Sequence, residues 1–239
     1  MRFEEFNEEF IKKLNEINNT CSKDESEKLF KYMNILLEWN EKMNLTAITD
    51  ESEIISKHFV DSLTILKYIK NNDKVIDVGT GAGFPGIPLA IFKNNTKFTL
   101  LDSINKRINF LNEVKEKIEL DNVENLHGRA EDFGQNKAYR EQYDVAASRA
   151  VAPMHVLLEY LLPFVKVGGM CICMKGPNVS EEIKDIENVA KKLGAQLVET
   201  ENLKLLNGEI ERNIIILKKI KNTDKKYPRK AGTPSKQPL

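Results

Sequence analysis

Three glycines at alternate positions, Gly79, Gly81 and Gly83, follow the short apolar run from Val75 to Val78 and precede Phe84-Pro85-Gly86-Ile87-Pro88. A glycine turn between a strand and a helix lets main chain approach a ligand that side chains would otherwise shield. The neighbouring carboxylates restrict which ligand. Asp77 stands two residues before the first glycine, and Asp102 ends the next apolar run. Asp77 would repel a pyrophosphate, and the spacing is G-x-G-x-G, whereas dinucleotide-binding turns use G-x-G-x-x-G. A carboxylate closing the second strand is placed to accept both ribose hydroxyls of a nucleoside. A nucleoside that is also cationic fits both observations, and S-adenosylmethionine (SAM), with its sulfonium and ammonium groups, is one. The competing roles are structural: Asp77 could order the turn, and Asp102 could cap the helix after it. Glu131 and its neighbour Asp132, in GRAEDF, sit where the loop after a third strand would overhang an adenine; a solvated helix start is the alternative.

Chemistry in an open α/β sheet sits outside the carboxyl ends of the strands, so YDVAASRAVAPMH (143 to 155) should border the acceptor. The Asn/Asp-Pro-Pro-aromatic pattern of amine methylation is absent, and no cysteine lies near to act as the nucleophile of pyrimidine-carbon methylation. What remains is Ser148, Arg149 and Ala152-Pro153. A site with no general base and no nucleophile suits an acceptor with a free lone pair, such as guanine N7. In-line positioning could then supply about 7–11 kcal/mol of the acceleration. Arg149 could orient the cofactor carboxylate or the guanine O6 edge, or form a structural ion pair with a nearby Asp or Glu.

The elements that must position these residues divide the 239-residue chain. Residues 1 to 70 read as a helical extension, with Phe3, Phe6, Phe10, Leu14 and Ile17 at steps of three and four, Leu29, Met33, Leu36 and Leu37 repeating the pattern, and a third helix over about 51 to 69. From Lys74 the pattern becomes βαβ. Strands are expected at 74–79, 97–102, 122–127, 143–148, 169–175, 196–204 and 212–219, the last pairing antiparallel through a turn at Asn207-Gly208. Ile104, Ile108, Leu111, Val114 and Ile118 mark the helix after the second strand. The fold class is therefore α/β, a Rossmann-like seven-stranded, mostly parallel sheet over 71 to 220 with an N-terminal helical extension.

Hydrophobic residues at 41% supply a core for a domain of this size. Lys plus Arg and Asp plus Glu number 36 each, so whole-chain charge selects no partner. Its distribution does more, because residues 221–239 carry six basic residues against Asp224 alone. That tail, by its Lys, Pro and Gly content, is expected to be disordered in isolation. No run of 18 uncharged apolar residues occurs and the N-terminus lacks a signal peptide's apolar core, so no membrane association and a cytoplasmic location are expected. Three cysteines fit neither a disulfide framework nor a metal site and read as core.

With these residues in view, the chain resembles the RsmG (GidB) family. The likeness runs through LLEWNEKMNLTAI (36 to 48), HFVDSL (58 to 63), DVGTGAGFPGIPLAI (77 to 91), DSINKRINFL (102 to 111), GRAED (128 to 132), YDVAASRAVAP (143 to 153), GGMCICMKG (168 to 176) and YPRKAGTPSKQPL (227 to 239). Thr80 stands where serine is frequent in the family. The resemblance implies a SAM-dependent methyltransferase acting on N7 of one guanine in small-subunit (16S) ribosomal RNA, working as a monomer on that RNA or on a small-subunit assembly particle. It implies that Gly79 and Phe84 contact SAM, where Phe84 otherwise reads as a helix-start core residue, that Ala130 and Glu131 hold the adenine side, and that Arg149 lies in the cofactor site, beside Gly81 and Asp102 from the turn reading. It also implies that the helical extension and the tail help hold RNA. Arg229 and Lys230 would neutralise phosphates unless the tail is merely solubilising, and Lys175, ending the fifth strand, would touch RNA unless it is a solvated strand end. His58 and Asp61, one helical turn apart, are read as a structural pair, and Trp39 as an anchor between the extension and the sheet. Two other readings of the same turn are a non-catalytic RNA-binding module and an NAD-dependent oxidoreductase.

Overall fold

The computed structural model describes residues 1–208 and 210–239. Seven strands form one sheet: β1 Lys74–Val78, β2 Lys97–Asp102, β3 Val123–His127, β4 Tyr143–Arg149, β5 Val165–Lys175, β6 Ala195–Leu205 and β7 Ile210–Lys219. Their order is β3-β2-β1-β4-β5-β7-β6. The first five are parallel, and β7 runs antiparallel to both neighbours, β5 and β6. The chain leaves β1 toward β2 and β3, then returns to place β4 on the other side of β1. That reversal opens a crevice at the carboxyl ends of β1 and β4, where such sheets bind ligands. The expected Asn207-Gly208 turn falls in a 3-10 turn over Leu206–Gly208 and runs into residue 209, outside the described residues.

Two apolar layers cover the sheet. On one face α1 (Phe3–Asn15) and α2 (Lys23–Asn40) pack Phe6, Phe10, Leu14, Tyr32, Met33 and Leu36 into the same cluster as Val75, Leu100, Ile172 and Met174. The N-terminal helices thus complete a core that the sheet's own crossover helices would leave partly open. Ser22 starts α2 with a capping box, its Oγ accepting from the Glu25 amide at 3.2 Å while the Glu25 carboxylate accepts from the Ser22 amide at 2.6 Å. Trp39 joins α2 to a helix and not to the sheet: its ring meets Phe110 edge-on at 5.7 Å and its Nε1 donates to Glu113.

The segment expected to be one helix over 51–69 is broken. It runs as α3 (Glu51–Ile54), a π-helical stretch from Ile55 to Val60, α4 (Asp61–Leu63) and a 3-10 turn over Leu66–Tyr68. The wider π turn changes which side chains share a face, a feature concentrated at functional sites.

The crossovers follow: α5 (Gly86–Phe92), α6 (Asn105–Lys117), α7 (Ala130–Gln135), α8 (Met154–Leu161), α9 (Ser180–Ile183) and α10 (Ile186–Lys192). Ile108, Leu111 and Val114 are buried on α6 as their spacing predicts, but Ile104 is 43% exposed, because it precedes the helix and points away from its buried face. Leu157, Leu161, Phe164, Ile186 and Val189 form the second layer with Cys171 and Cys173, while Ile172 and Met174 face the first, the two-residue alternation of a strand.

The C-terminal tail, expected to be disordered, is docked. Arg140 donates to the carbonyls of Thr223 (2.7 Å), Asp224 (3.2 Å) and Tyr227 (2.7 Å), and Gln135 to those of Lys225 and Pro228. A short helix, α11 (Thr233–Lys236), ends against α8, with Ser235 bonded to Tyr160. Composition could not show this, because the main chain of the tail is satisfied by side chains almost a hundred residues earlier.

Candidate active site

The loops after β1, β2 and β3 are tied to one another at the crevice. Gly79 and Thr80 donate their amides to the Leu101 carbonyl (2.8 and 3.1 Å), Gly81 donates to the Asp102 carboxylate (2.9 Å), and Gly128 donates to the Asp102 carbonyl (3.0 Å). Gly79 has φ +71°, and a Cβ there would lie 2.6 Å from a methyl of Val151. At Gly81, φ +63°, nothing lies within 4 Å of the Cβ position, so this is the open side of the turn.

Asp77 is buried beneath the turn and orders it, its Oδ2 accepting from Thr80 Oγ1 (2.7 Å) and the Gly86 amide (2.9 Å). Its Oδ1 is buried with no partner. Burial pushes this carboxyl up to about 6, against the Thr80 and Gly86 hydrogen bonds. An unpartnered carboxylate oxygen is a costly feature, and a cation near the turn would relieve it. Asp102 accepts from the Ile104 amide (2.9 Å) on Oδ1 and from Gly81 and Arg107 (3.2 Å) on Oδ2. The helix-capping role expected as an alternative is thus taken up through Ile104, and a carboxylate of about four acceptor positions retains capacity for a hydroxyl. Ile104 and Val151, both exposed, flank the opening with apolar surface. Ala130 and Glu131 start α7 beside the third loop, and Glu131 is buried with Oε1 on the Gly232 amide of the tail (2.9 Å). An open glycine turn, an orphaned acid, a second acid with spare acceptor capacity and apolar rims fit a cationic nucleoside.

Arg149, ending β4, is held from the N-terminal extension. Its Nη1 donates to Asp61 Oδ2 (2.7 Å) and the Lys57 carbonyl (3.1 Å), and its Nη2 lies 3.0 Å from His58 Nδ1. Asp61 is fully buried and its other oxygen accepts from Arg212 Nε at 2.7 Å. The expected His58–Asp61 pair does not form, because the π turn delivers both residues separately to Arg149. His58 uses Nε2 on Thr46 Oγ1 (2.8 Å), and burial and Arg149 push its pKa down to about 3, so the ring is neutral. Phe84 is buried between these groups, with His58 stacked on it at 4.4 Å and the Arg149 guanidinium 4.9 Å from its centre. Tyr32, from α2, donates to the Ala82 carbonyl within the glycine turn. Spacing alone gave no signal for Asp61 as an arginine partner, or for Tyr32 and Arg212; only the HFVDSL motif drew attention to the first.

Two expected RNA contacts are otherwise engaged. Lys175 is buried, donating to the Ala152 carbonyl (2.9 Å) and pairing with Glu182 (2.7 Å), so it is neither a solvated strand end nor open to a phosphate. Arg229 makes a forked pair with Glu159, which is fully buried, at 2.6 to 3.2 Å. A buried carboxylate on α8 requires that guanidinium, which therefore anchors the tail. Lys230 is exposed, on a depression of about 490 Å³ that it lines with Glu131, Gln135, Lys225 and Lys226. Another concavity, of about 760 Å³, lies at the opposite end of the sheet near Lys74, Lys97 and Tyr143, away from every group above.

The family model described as rRNA small subunit methyltransferase G matches residues 25–215. The chain belongs to that family. Ribosomal RNA small subunit methyltransferase G of Alkaliphilus oremlandii is 56% identical over 88% of this chain and 89% of its own length, and that of Clostridium tetani 51% identical over 87% and 88%. Among solved structures, M. jannaschii TYW2 in complex with AdoMet shares the fold, with a TM-score of 0.53 at 18% identity over 68% of this chain and 76% of its own. Membership in the methyltransferase G family sets aside the dinucleotide reading of the glycine turn.

Proposed function

We propose that this chain transfers the methyl group of SAM to N7 of a guanine in small-subunit ribosomal RNA. The observation that carries the acceptor is the end of β4. Ser148 is buried and spends its hydroxyl on the Val78 carbonyl (2.8 Å), Arg149 is a permanent cation, and His58 has both nitrogens occupied. Cys171 and Cys173 are buried within β5. A ring nitrogen with a free lone pair needs no proton removed, so the geometry has only to align it.

The residues proposed to hold SAM are the turn at Gly79 and Gly81, Phe84 beneath it, Asp102 toward the ribose, Ala130 and Glu131 toward the adenine, and Arg149 at the β1–β4 crevice. SAM supplies an electrophilic methyl group on a sulfonium leaving group. Asp77, with its buried unpartnered Oδ1, would offer an acceptor to that positive charge, and Arg149, fixed by Asp61, would present a rigid guanidinium to an anionic or carbonyl oxygen. The curated relatives are named for small-subunit ribosomal RNA. Such a substrate would be held in part by phosphate contacts from Lys230, a sequence-independent contribution that weakens with salt.

The test is to incubate the protein with tritiated SAM and small-subunit RNA lacking the modification, both free and as an assembly particle. Label at guanine N7 is expected. Label on another base, or RNA binding with no transfer to either substrate, would defeat the proposal, the second result favouring a binding module.

A further inference from the structure

The connection between β4 and α8 is held in a conformation that it would not adopt unaided. Ala150 has φ +55°, in the left-handed region that side chains avoid, a strain that neighbouring contacts must offset. The next residue, Val151, is 39% exposed yet pressed against the glycine turn, its methyl groups 2.6 and 3.1 Å from where a Gly79 Cβ would stand. One charge pair supplies side-chain contacts that hold this conformation. Lys175 Nζ donates to the Ala152 carbonyl at 2.9 Å and meets Glu182 Oε2 at 2.7 Å, and the same carboxylate oxygen accepts from the Met154 amide at 3.1 Å. The middle of the connection and its α8 end are therefore fastened to a pair whose lysine is buried. At the β4 end, the Ala150 amide donates to the Met174 carbonyl at 3.3 Å.

We propose that Lys175 is a positioning residue for methyl transfer: with Glu182 it latches residues 150–154 so that Val151 forms a fixed wall of the β1–β4 crevice over Gly79. The role rests on the methyltransferase function proposed above. The physical reason is geometric. The connection begins at Arg149 and borders the turn proposed to hold SAM, and a displacement of about 1 Å at such a wall can cost on the order of a hundredfold in rate. A lysine spent on a carbonyl and a carboxylate inside the protein has left the service of RNA phosphates. Its loss should slow the chemistry and leave electrostatic docking alone.

The test compares the wild-type protein with Lys175→Met, which keeps most of the side-chain volume and removes charge and donors. With tritiated SAM and saturating unmethylated small-subunit RNA, the single-turnover rate should fall roughly tenfold to a hundredfold. RNA affinity and its salt slope should stay unchanged, and Lys175→Arg, which can still reach both partners, should recover part of the rate. An unchanged rate overturns the proposal, as does a salt slope reduced by about one with the rate intact, the signature of a lost phosphate contact. Should Lys175→Met fail to fold, Glu182→Gln keeps an acceptor for Met154 while removing the charge partner, and it must show the same loss of rate. Hydrogen exchange needs no substrate. The Met154 amide should exchange faster in Lys175→Met, and equal protection overturns the latch even if the wild-type protein transfers no methyl group, a result that would count separately against the proposed function.

Discussion

Replacing Asp61 by alanine tests whether the N-terminal extension is what fixes the arginine at the end of β4. Asp61 is fully buried and each of its oxygens is 2.7 Å from a guanidinium, on Arg149 and on Arg212, whose side chains are 12% and 25% exposed. A hydrogen bond to a charged group contributes about 1.5–3 kcal/mol, and removing one member of a buried pair costs about 3–5 kcal/mol because the remaining charge is left uncompensated. Water can reach Arg212 more readily than Arg149, so the lower half of that range applies, about 3–4 kcal/mol. For a chain of this length the melting temperature should drop by about 6–16 °C. The assay is urea unfolding of Asp61→Ala, Arg149→Met and the double variant. Arg149→Met should cost less than Asp61→Ala, since Asp61 retains Arg212. The double variant should fall short of additivity by at least about 1 kcal/mol, the mark of residues in one network. SAM affinity should fall in all three. A cost below about 1 kcal/mol for Asp61→Ala, or strict additivity, would refute the claim that this carboxylate holds Arg149.

Tyr32→Phe keeps the buried ring but leaves the Ala82 carbonyl without its donor; stability should fall by about 1–3 kcal/mol and calorimetric SAM affinity with it, whereas an unchanged affinity would mean that α2 does not brace the turn. Arg229→Met strands the buried Glu159 and should cost about 3–5 kcal/mol. Lys230→Met, on an exposed residue, should leave stability alone and lower the salt slope of RNA binding by about one; exchange of these two outcomes would restore Arg229 as the phosphate contact. Stability should also depend on pH in a composite way. His58 titrates at about 3 in the folded protein and near 6.5 unfolded, so its contribution is complete above pH 6.5 and is lost as pH falls toward 3, at up to about 1.4 kcal/mol per pH unit. Asp77, raised to about 6, opposes it: its contribution is complete below about pH 4 and is lost as pH rises through 6. Asp77→Asn should therefore steepen the acid-side loss between pH 4 and 6 in urea midpoints, and an unchanged slope would show that the two groups do not oppose one another.

The order of strands and crossovers, the glycine turn with Asp77 and Asp102, and family membership were legible in the sequence, because each rests on local pattern. Apolar alternation marks strands, glycines mark a turn needing positive φ, and a carboxylate closing a strand lies within a few residues of the loop it serves. The groups that aim the site were not legible in this way. Asp61 meets Arg149 only because a π turn, invisible to helical periodicity, rotates it there and because β4 returns beside β1. Lys175 and Arg229 read as cations seeking phosphate, since a side chain's charge is visible in sequence and its burial is not. Their carboxylate partners, Glu182 and Glu159, come from helices that only the folded sheet brings alongside. Chemistry that depends on residue type and short spacing was determined by the sequence. Whether a charge faces solvent or is consumed inside the protein was decided by tertiary packing, because desolvation depends on what surrounds a group in space and not on its neighbours along the chain.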